Sequence, residues 1–433
     1  MKRISLLLLS LNIFVSATYA DFILSHNCER LTENGMEIFV FANMTAAEIK
    51  YQDSQVRDFI WKRNGSADTI KIESGLTTSL TEPELEANMG YTLEVKGKIT
   101  YEIYVLNYER YIPKIKSVVA RDGENLCDDP TKVEINFLDV PLMEYYTPMG
   151  TGYAISRDFS LTYDILTWNE QSLRFDTEVV TPPRLISIYS TPLEPYELDI
   201  DDIFVNTRFI LSGDQFAKKF GMEVITRSEE YIAVKPIVRA TGTLNERTAL
   251  NEKDRKNKGD KRKIEASAPL EVTLEVFQNE LESSSRYYRW NFYNILNGET
   301  GGPWHEPKFQ ITFSDFGEYV VRVEATTNLG CVASDSIEVI VPETILEVPN
   351  VFTPNGDGIN DEFRVAYRSI TKFNMWVYNR WGRLVFSSNS PDKGWDGYIG
   401  SAKAATGAYF YVIEYTTVKG ERKRTSGDIN LLR

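Results

Sequence analysis

The chain has 433 residues, a length suited to about three domains, with a net charge of −14, 24 Tyr and 22 Phe. Rings in that abundance lie well on half-buried pleated sheets, and long runs of Ala, Leu, Glu and Lys are scarce, so the composition leans to an all-β fold. An acidic body argues against nucleic acid as a partner, and two histidines (His26 and His305) supply zinc, Ser-His or Cys-His chemistry poorly.

Lys2 and Arg3 precede an apolar run from Ile4 to Val15 that ends at Thr18-Tyr19-Ala20. That is the pattern of a secretory signal peptide over residues 1–20. Ser5, Ser10 and Asn12 interrupt the run, which falls short of the roughly twenty apolar residues a bilayer span needs. The mature chain is expected to start at Asp21. In an exported protein the three cysteines, Cys28, Cys127 and Cys331, allow one disulfide and one free thiol. Cys28–Cys127 is the expected pair; small buried apolar residues are the equally ready alternative.

Residues 21–112 are expected to form a first β module. "GMEIFVFANM", "FIWKRNGSADTIKI" and "YTLEVKGKITYEIYVLNYERY" supply its strands, with Ile99, Tyr101, Ile103 and Val105 on one face. Such alternation marks a half-buried strand. Residues 113–244 form a β-rich module, with strands in "TKVEINF", "RLISIYS" and "EYIAVKPIVRA" and Pro- and Gly-punctuated loops between them. Residues 245–265, "NERTALNEKDRKNKGDKRKIE", lack apolar periodicity and suit a charged linker or solvated loop.

Residues 266–345 return to clear alternation, with Val272, Leu274 and Val276 opposed to Glu271, Thr273 and Glu275. Trp290-Asn291-Phe292, the entry Gly317-Glu318-Tyr319-Val320-Val321 and the turn Asn328…Gly330-Cys331 resemble the PKD-like branch of Ig-like sandwiches. The glycine-aspartate turn of that family is replaced by "YNILNGETGG". The first module carries a fainter version of the same pattern, which suggests a string of similar units.

Residues 346–433 read as one compact β unit. Phe373, Met375 and Val377 share one face, Asn379-Arg380-Trp381-Gly382 turns the chain, and Ile429 and Leu431 share a face in the last strand. From Glu347 to the end, twelve Lys/Arg stand against nine Asp/Glu, a net +3 that leaves −17 on the rest. "PNVFTPNGDGINDEF", "ITKFNMWVYNRWGRLVF", "GWDG", "TGAYFYVIEY" and "SGDINLLR" resemble, in order, the gliding-motility-associated C-terminal domain of Bacteroidetes, the type B sorting signal of the type IX secretion system. The resemblance implies a small C-terminal β-sandwich domain that is read by the type IX translocon and a PorP/SprF-like outer-membrane protein. It also implies export through the periplasm to the cell surface or medium.

Within that unit, Asn355, Asp357 and Asp361 are spaced like ligands of a Ca²⁺ loop. Thr353 and Arg364, however, stand where an EF-hand places its first ligand and its bidentate Glu. The alternative is a turn in which Gly takes φ > 0 while Asn and Asp side chains bind neighbouring amides. Trp376, Trp381 and Trp395 are either a recognition platform or packing. Arg380, Arg383, Arg422, Lys423 and Arg424 are the candidate partner contacts. Two triplets, Asp68-Thr69-Ile70 and Asp335-Ser336-Ile337, resemble the O-glycosylation acceptor pattern of exported Bacteroidetes proteins.

The fold class expected is therefore all-β, tandem Ig-like or PKD-like modules followed by the sorting domain. The function expected is a non-catalytic surface protein, adhesin-like or structural, with no catalytic residues and no cofactor beyond a possible Ca²⁺. The alternatives are a glycan- or protein-binding module in residues 113–240, whose long loops suit recognition, and a hydrolase. The carboxylates available to a hydrolase are Asp199, Asp201 and Asp202, or Glu229 and Glu230, since glycoside hydrolysis needs two at a set separation.

Overall fold

A computed structural model describes residues 21–65, 69–247, 249, 251–253, 259–281 and 287–433. The expected signal peptide, Asp68 of the first glycosylation triplet and part of the charged segment lie outside the described residues. The chain is nearly all β. Among the described residues the one α-helix is Gln215–Phe220, capped at its start by Asp214, whose carboxylate accepts from the N–H groups of Phe216 and Ala217. Gly221 ends it at φ +69°.

In the first module a single sheet runs in the order Asp21–Ile23, Glu48–Arg63, Met89–Val95, Ile99–Asn107, Met36–Phe41, Cys28–Glu33, with Thr69–Thr81 also paired to Glu48–Arg63. Met36–Phe41 is buried at every position and pairs parallel to Ile99–Asn107. Its continuous apolar run is what burial on both faces demands. Phe39 and Phe41 point into a core around Trp61, Tyr51 and Phe59. Met36, Ile38 and Val40 meet Met143, Tyr145, Ile155 and Phe216 of the second module. The one-faced reading of Ile99–Val105 is corrected accordingly: Ile103 and Val105 are buried, but so are Tyr104 and Leu106, and Ile99 is exposed. A neighbouring module covers the face that alternation assigned to solvent.

A buried polar knot fixes that joint. The guanidinium of Arg157 pairs with the Asp214 carboxylate and donates to the carbonyls of Tyr111 at 2.6 Å and Pro141 at 3.1 Å; the Tyr108 hydroxyl donates to Asp214 at 2.7 Å. Burial, and then the Asp214 carboxylate, push the Tyr108 phenol far above its ordinary value, so it remains a donor.

The second module packs the sheet Tyr196–Ile200/Thr131–Asp139/Lys114–Arg121 against Arg184–Ile188/Arg157–Thr162/Ile210–Ser212/Ile225–Arg227. Between them lie Val133, Ile135, Phe159, Leu161 and Phe209. "EYIAVKPIVRA" is not one strand. Tyr231 makes an isolated bridge to Thr207, and the regular strand begins only at Val238, beyond Pro236. That strand, Val238–Leu244, belongs to the third module, where it pairs with Leu270–Gln278 and contributes Val238 and Ala240 to the core around Trp290. The expected boundary at residue 244 therefore moves toward the N-terminus.

Residues 245–265 are not simply a linker. Lys263–Glu265 pairs parallel with Val332–Val341 as an edge strand. Asn251 and Lys253 bind across to Tyr367 in the C-terminal unit, with the Lys253 N–H donating to the Tyr367 carbonyl at 2.7 Å. The expected Cys28–Cys127 pairing is also corrected. Cys127, in a second-module loop, is bonded to Cys331, in the Asn328–Cys331 turn of the third module, across 204 residues. Cys28 is free and buried, and desolvation pushes its thiol up to about 12.

The C-terminal unit has its own five-stranded sheet. Its strands are labelled β1 (Val351–Phe352), β2 (Ile370–Tyr378), β3 (Leu384–Ser388), β4 (Gly407–Thr417) and β5 (Arg422–Leu431). The order is β1-β5-β4-β2-β3. One face carries Phe373, Met375, Val377, Ile413, Ile429 and Leu431 into a core closed by Phe352, Phe363, Val365 and Trp395. The expected inward face of β2 and the shared face of Ile429 and Leu431 are both seen.

Candidate functional site

The segment Thr353–Asp361 is organised by its own polar side chains. The Asp361 carboxylate accepts the N–H groups of Asn355 at 3.0 Å, Gly356 at 2.7 Å and Gly358 at 2.7 Å. Asn355 accepts from the Asp357 N–H, and Asp357 from the Ile359 N–H. Gly356 and Gly358 take φ +84° and +85°. These backbone donors hold the Asp361 carboxyl below the usual carboxylate range. Asp357 and Asp361 thus act as turn formers in this loop.

The three tryptophans have separate fates. Trp395 is fully buried and donates its indole N–H to the Tyr398 carbonyl at 2.8 Å. Trp376 is half-buried on the outward face of β2. Trp381 is 75% exposed at the tip of the β2–β3 turn, with the Arg380 guanidinium 4.2 Å above its ring.

The candidate cations form two groups. Arg422, Lys423 and Arg424 are exposed at the start of β5, and strand register places Lys372 of β2 in the same row as Arg422. Lys372 was missed from the sequence because only the pairing through Thr416 reveals it. Arg380 and Arg383 lie beyond the far end of β2, about 20 Å away at the rise of a strand. Arg424 approaches Glu414 at 3.8 Å, and Lys423 pairs with Glu421 at 3.0 Å. Among the described residues Lys372 and Arg422 have no carboxylate partner. These four cations line a basin of about 440 Å³ with Asn374, Glu414 and Thr416.

The joint to the third module is polar and reciprocal. The Ser369 N–H donates to the Ser267 hydroxyl at 2.7 Å, and the Ala268 N–H to the Ser369 hydroxyl at 3.2 Å. The Val418 N–H donates to the Thr344 hydroxyl at 2.8 Å, and Lys419 pairs with Glu343. Val418 alone of this unit joins the neighbouring core.

Elsewhere, Asp199, Asp201, Asp202, Glu229 and Glu230 are all exposed. Asp335 is engaged by Arg262 and by the Ala240 N–H, and Ser336 is half-buried within a strand. Among the described residues no helix is long and apolar enough to cross a membrane.

Residues 346–431 match the family described as the CHU_C type IX secretion signal domain, and residues 122–228 match a fibronectin type III domain. The second match gives a family to the module least legible in the sequence. No curated protein matches the chain. Among solved structures, the tetra-tandem repeat from the extending region of a large adhesion protein is 10% identical, over 90% of this chain and 96% of that one, at a TM-score of 0.17. Drosophila N-cadherin EC1-4 is 10% identical, over 88% and 93%, at 0.19. Dimeric latent PorU from Porphyromonas gingivalis is 12% identical, over 74% of this chain and 32% of that one, at 0.15. At such scores these likenesses carry no functional argument. The secretion signal domain marks the chain for export to the cell surface or extracellular space and for handling by the type IX system.

Proposed function

We propose that this modular exported protein is a non-catalytic, adhesin-like or structural component of a surface assembly, delivered by its C-terminal domain through the type IX translocon with a PorP/SprF-like outer-membrane partner. The observation that supports it best is the C-terminal domain itself. It has a separate core, is joined to the rest mainly by hydrogen bonds and ion pairs, and ends in a strand paired on both sides. Upstream, each joint is tied differently, by the Arg157–Asp214 knot and by the Cys127–Cys331 disulfide. A chain of tied sandwiches suits a spacer that projects a distal surface.

Deleting residues 346–433 is expected to trap the protein in the periplasm, as read by fractionation and surface labelling. Unchanged surface accumulation of the truncated chain would remove the sorting assignment. A second reading, glycan or protein binding by residues 113–240, is favoured by a cleft of about 590 Å³ that Leu166, Phe175, Phe204 and Asn206 line together with Phe277 and Gln278 of the third module. Concave sites of this make-up bind ligands, and a glycan and surface-protein screen against the mature chain tests it.

A further inference from the structure

Most of the outward face of the β2–β4–β5 layer is exposed, with Trp376, Tyr378, Val412 and Thr416 half-buried. Strand register stacks it in rows: Lys372–Thr416–Arg422, then Asn374–Glu414–Arg424, then Trp376–Val412–Ser426, then Tyr378–Phe410–Asp428, with Leu384 of β3 beside Tyr378. None of Trp376, Tyr378, Val412, Phe410 or Leu384 belongs to the domain core. Phe410 is 48% exposed and Leu384 47%. A sheet that needed only solvent on this side would carry polar residues at these alternate positions. Instead, one end of the face carries an apolar strip on β2, β3 and β4, edged by Ser426 and Asp428 of β5, and the other end carries a basin whose cations outnumber its one carboxylate, Glu414.

We propose that this face docks on a protein partner that presents an apolar patch beside carboxylates. The proposal rests on the sorting reading above and assigns it a surface. Charge complementarity selects the occupant. Lys372 and Arg422 have no carboxylate partner among the described residues, and Arg424 has only a distant one. A partner's Asp or Glu side chains would take those sites as charge-assisted hydrogen bonds. The arrangement favours a protein over a lipid surface. Trp376 and Tyr378 are half-buried and Phe410 is about half exposed, in rows next to those of the cations, as in an interface with an apolar centre and a polar rim. A membrane-seeking surface would project its rings beyond the cations to reach the acyl chains. Four rows on three strands, with Leu384 of β3 at one corner, span roughly 20 Å by 10–15 Å. That is about a third of the ~800 Å² per partner of a standard stable interface, which suits a contact made during passage and then released.

The test is export of the full-length chain carrying Phe410→Ser with Val412→Ser, and separately Lys372→Glu with Arg422→Glu. The second pair changes only exposed side chains and keeps the test valid should the first pair disturb folding; melting of each purified protein checks this. Either pair is expected to lower surface accumulation about tenfold, the scale of a lost interface anchor, with periplasmic protein that melts as the native chain does. Export of both pairs at the native level, while deletion of residues 346–433 still blocks export, overturns this surface and leaves the sorting reading standing. Export of the deleted chain overturns both. Co-sedimentation of the native chain with phosphatidylglycerol vesicles, lost in Lys372→Glu/Arg422→Glu, would replace the protein partner with an anionic lipid surface and overturn the proposal.

Discussion

Gly358 sits in left-handed backbone at φ +85°, with open space where a Cβ would stand. The Asn-Gly and Asp-Gly pairs of "TPNGDGIND" point to that conformation, because glycine takes positive φ without a steric penalty. The cost of a side chain there is conformational rather than steric. Gly358→Val is expected to destabilise the C-terminal domain by about 1–2 kcal/mol, the penalty on left-handed backbone for an L-residue. Unchanged melting of the variant mature chain would refute the turn. Asp361 adds a pH dependence. Its carboxyl is held below the ordinary value by backbone donors, so its contribution is present above about pH 4 and is lost as pH falls through the lowered value. The stability gap between the native chain and Asp361→Asn is expected to close below about pH 4 in acid titrations followed by circular dichroism. A gap that does not narrow at all as pH falls from about 5 to about 2 would mean the carboxylate charge is not what the loop uses. Cysteine pairing, by contrast, was not legible. Disulfide geometry needs Cα atoms within about 7 Å, and nothing local brings residue 127 to residue 331.

Among elements, strands with clean alternation were readable: β2 with Phe373, Met375 and Val377, and Leu270–Gln278 with Val272, Leu274 and Val276. Strands that serve two modules were not. Ile99–Asn107 is buried on both faces toward its end because a second core closes over it, and Val238–Leu244 follows directly on the second module but completes the third. The charged stretch before residue 266 misled for a related reason. Its few strand residues are recruited by a neighbour's edge, a tertiary effect that composition cannot register. The Cys127–Cys331 bond ties two of these units. Its removal by Cys127→Ser with Cys331→Ser is expected to cost roughly 2–4 kcal/mol and to open the second and third modules to protease at lower denaturant. Thiol titration of the native chain should then find one cysteine, Cys28, reactive only after unfolding. Two reactive thiols in the folded oxidised protein would contradict the pairing.

For the molecule as a whole, only part of the proposed docking face was legible in the sequence. The basic residues Arg422, Lys423 and Arg424 could be picked from the sequence, but grouping them with Arg380 and Arg383 ignored a strand's length of separation. Lys372 and the aromatic rows emerge only once the register is known. What the sequence did carry, over the last fifth of the chain, was a complete unit with its own core. The same three strands, β2, β4 and β5, that bury Met375, Ile413 and Leu431 carry half-buried Trp376 and exposed Phe410 and Arg422 on their other side, so the core and the proposed docking face occupy opposite sides of one sheet.

The direct measurement is transplantation. Residues 346–433 are fused behind a signal peptide and a folded reporter that otherwise stays in the periplasm, and the reporter is located by surface labelling. A self-contained signal predicts reporter at the cell surface or in the medium, at a level near that of the native chain. Reporter retained in the periplasm, with the fused domain unfolded or degraded, would show that the domain depends on the modules before it and would contradict the account.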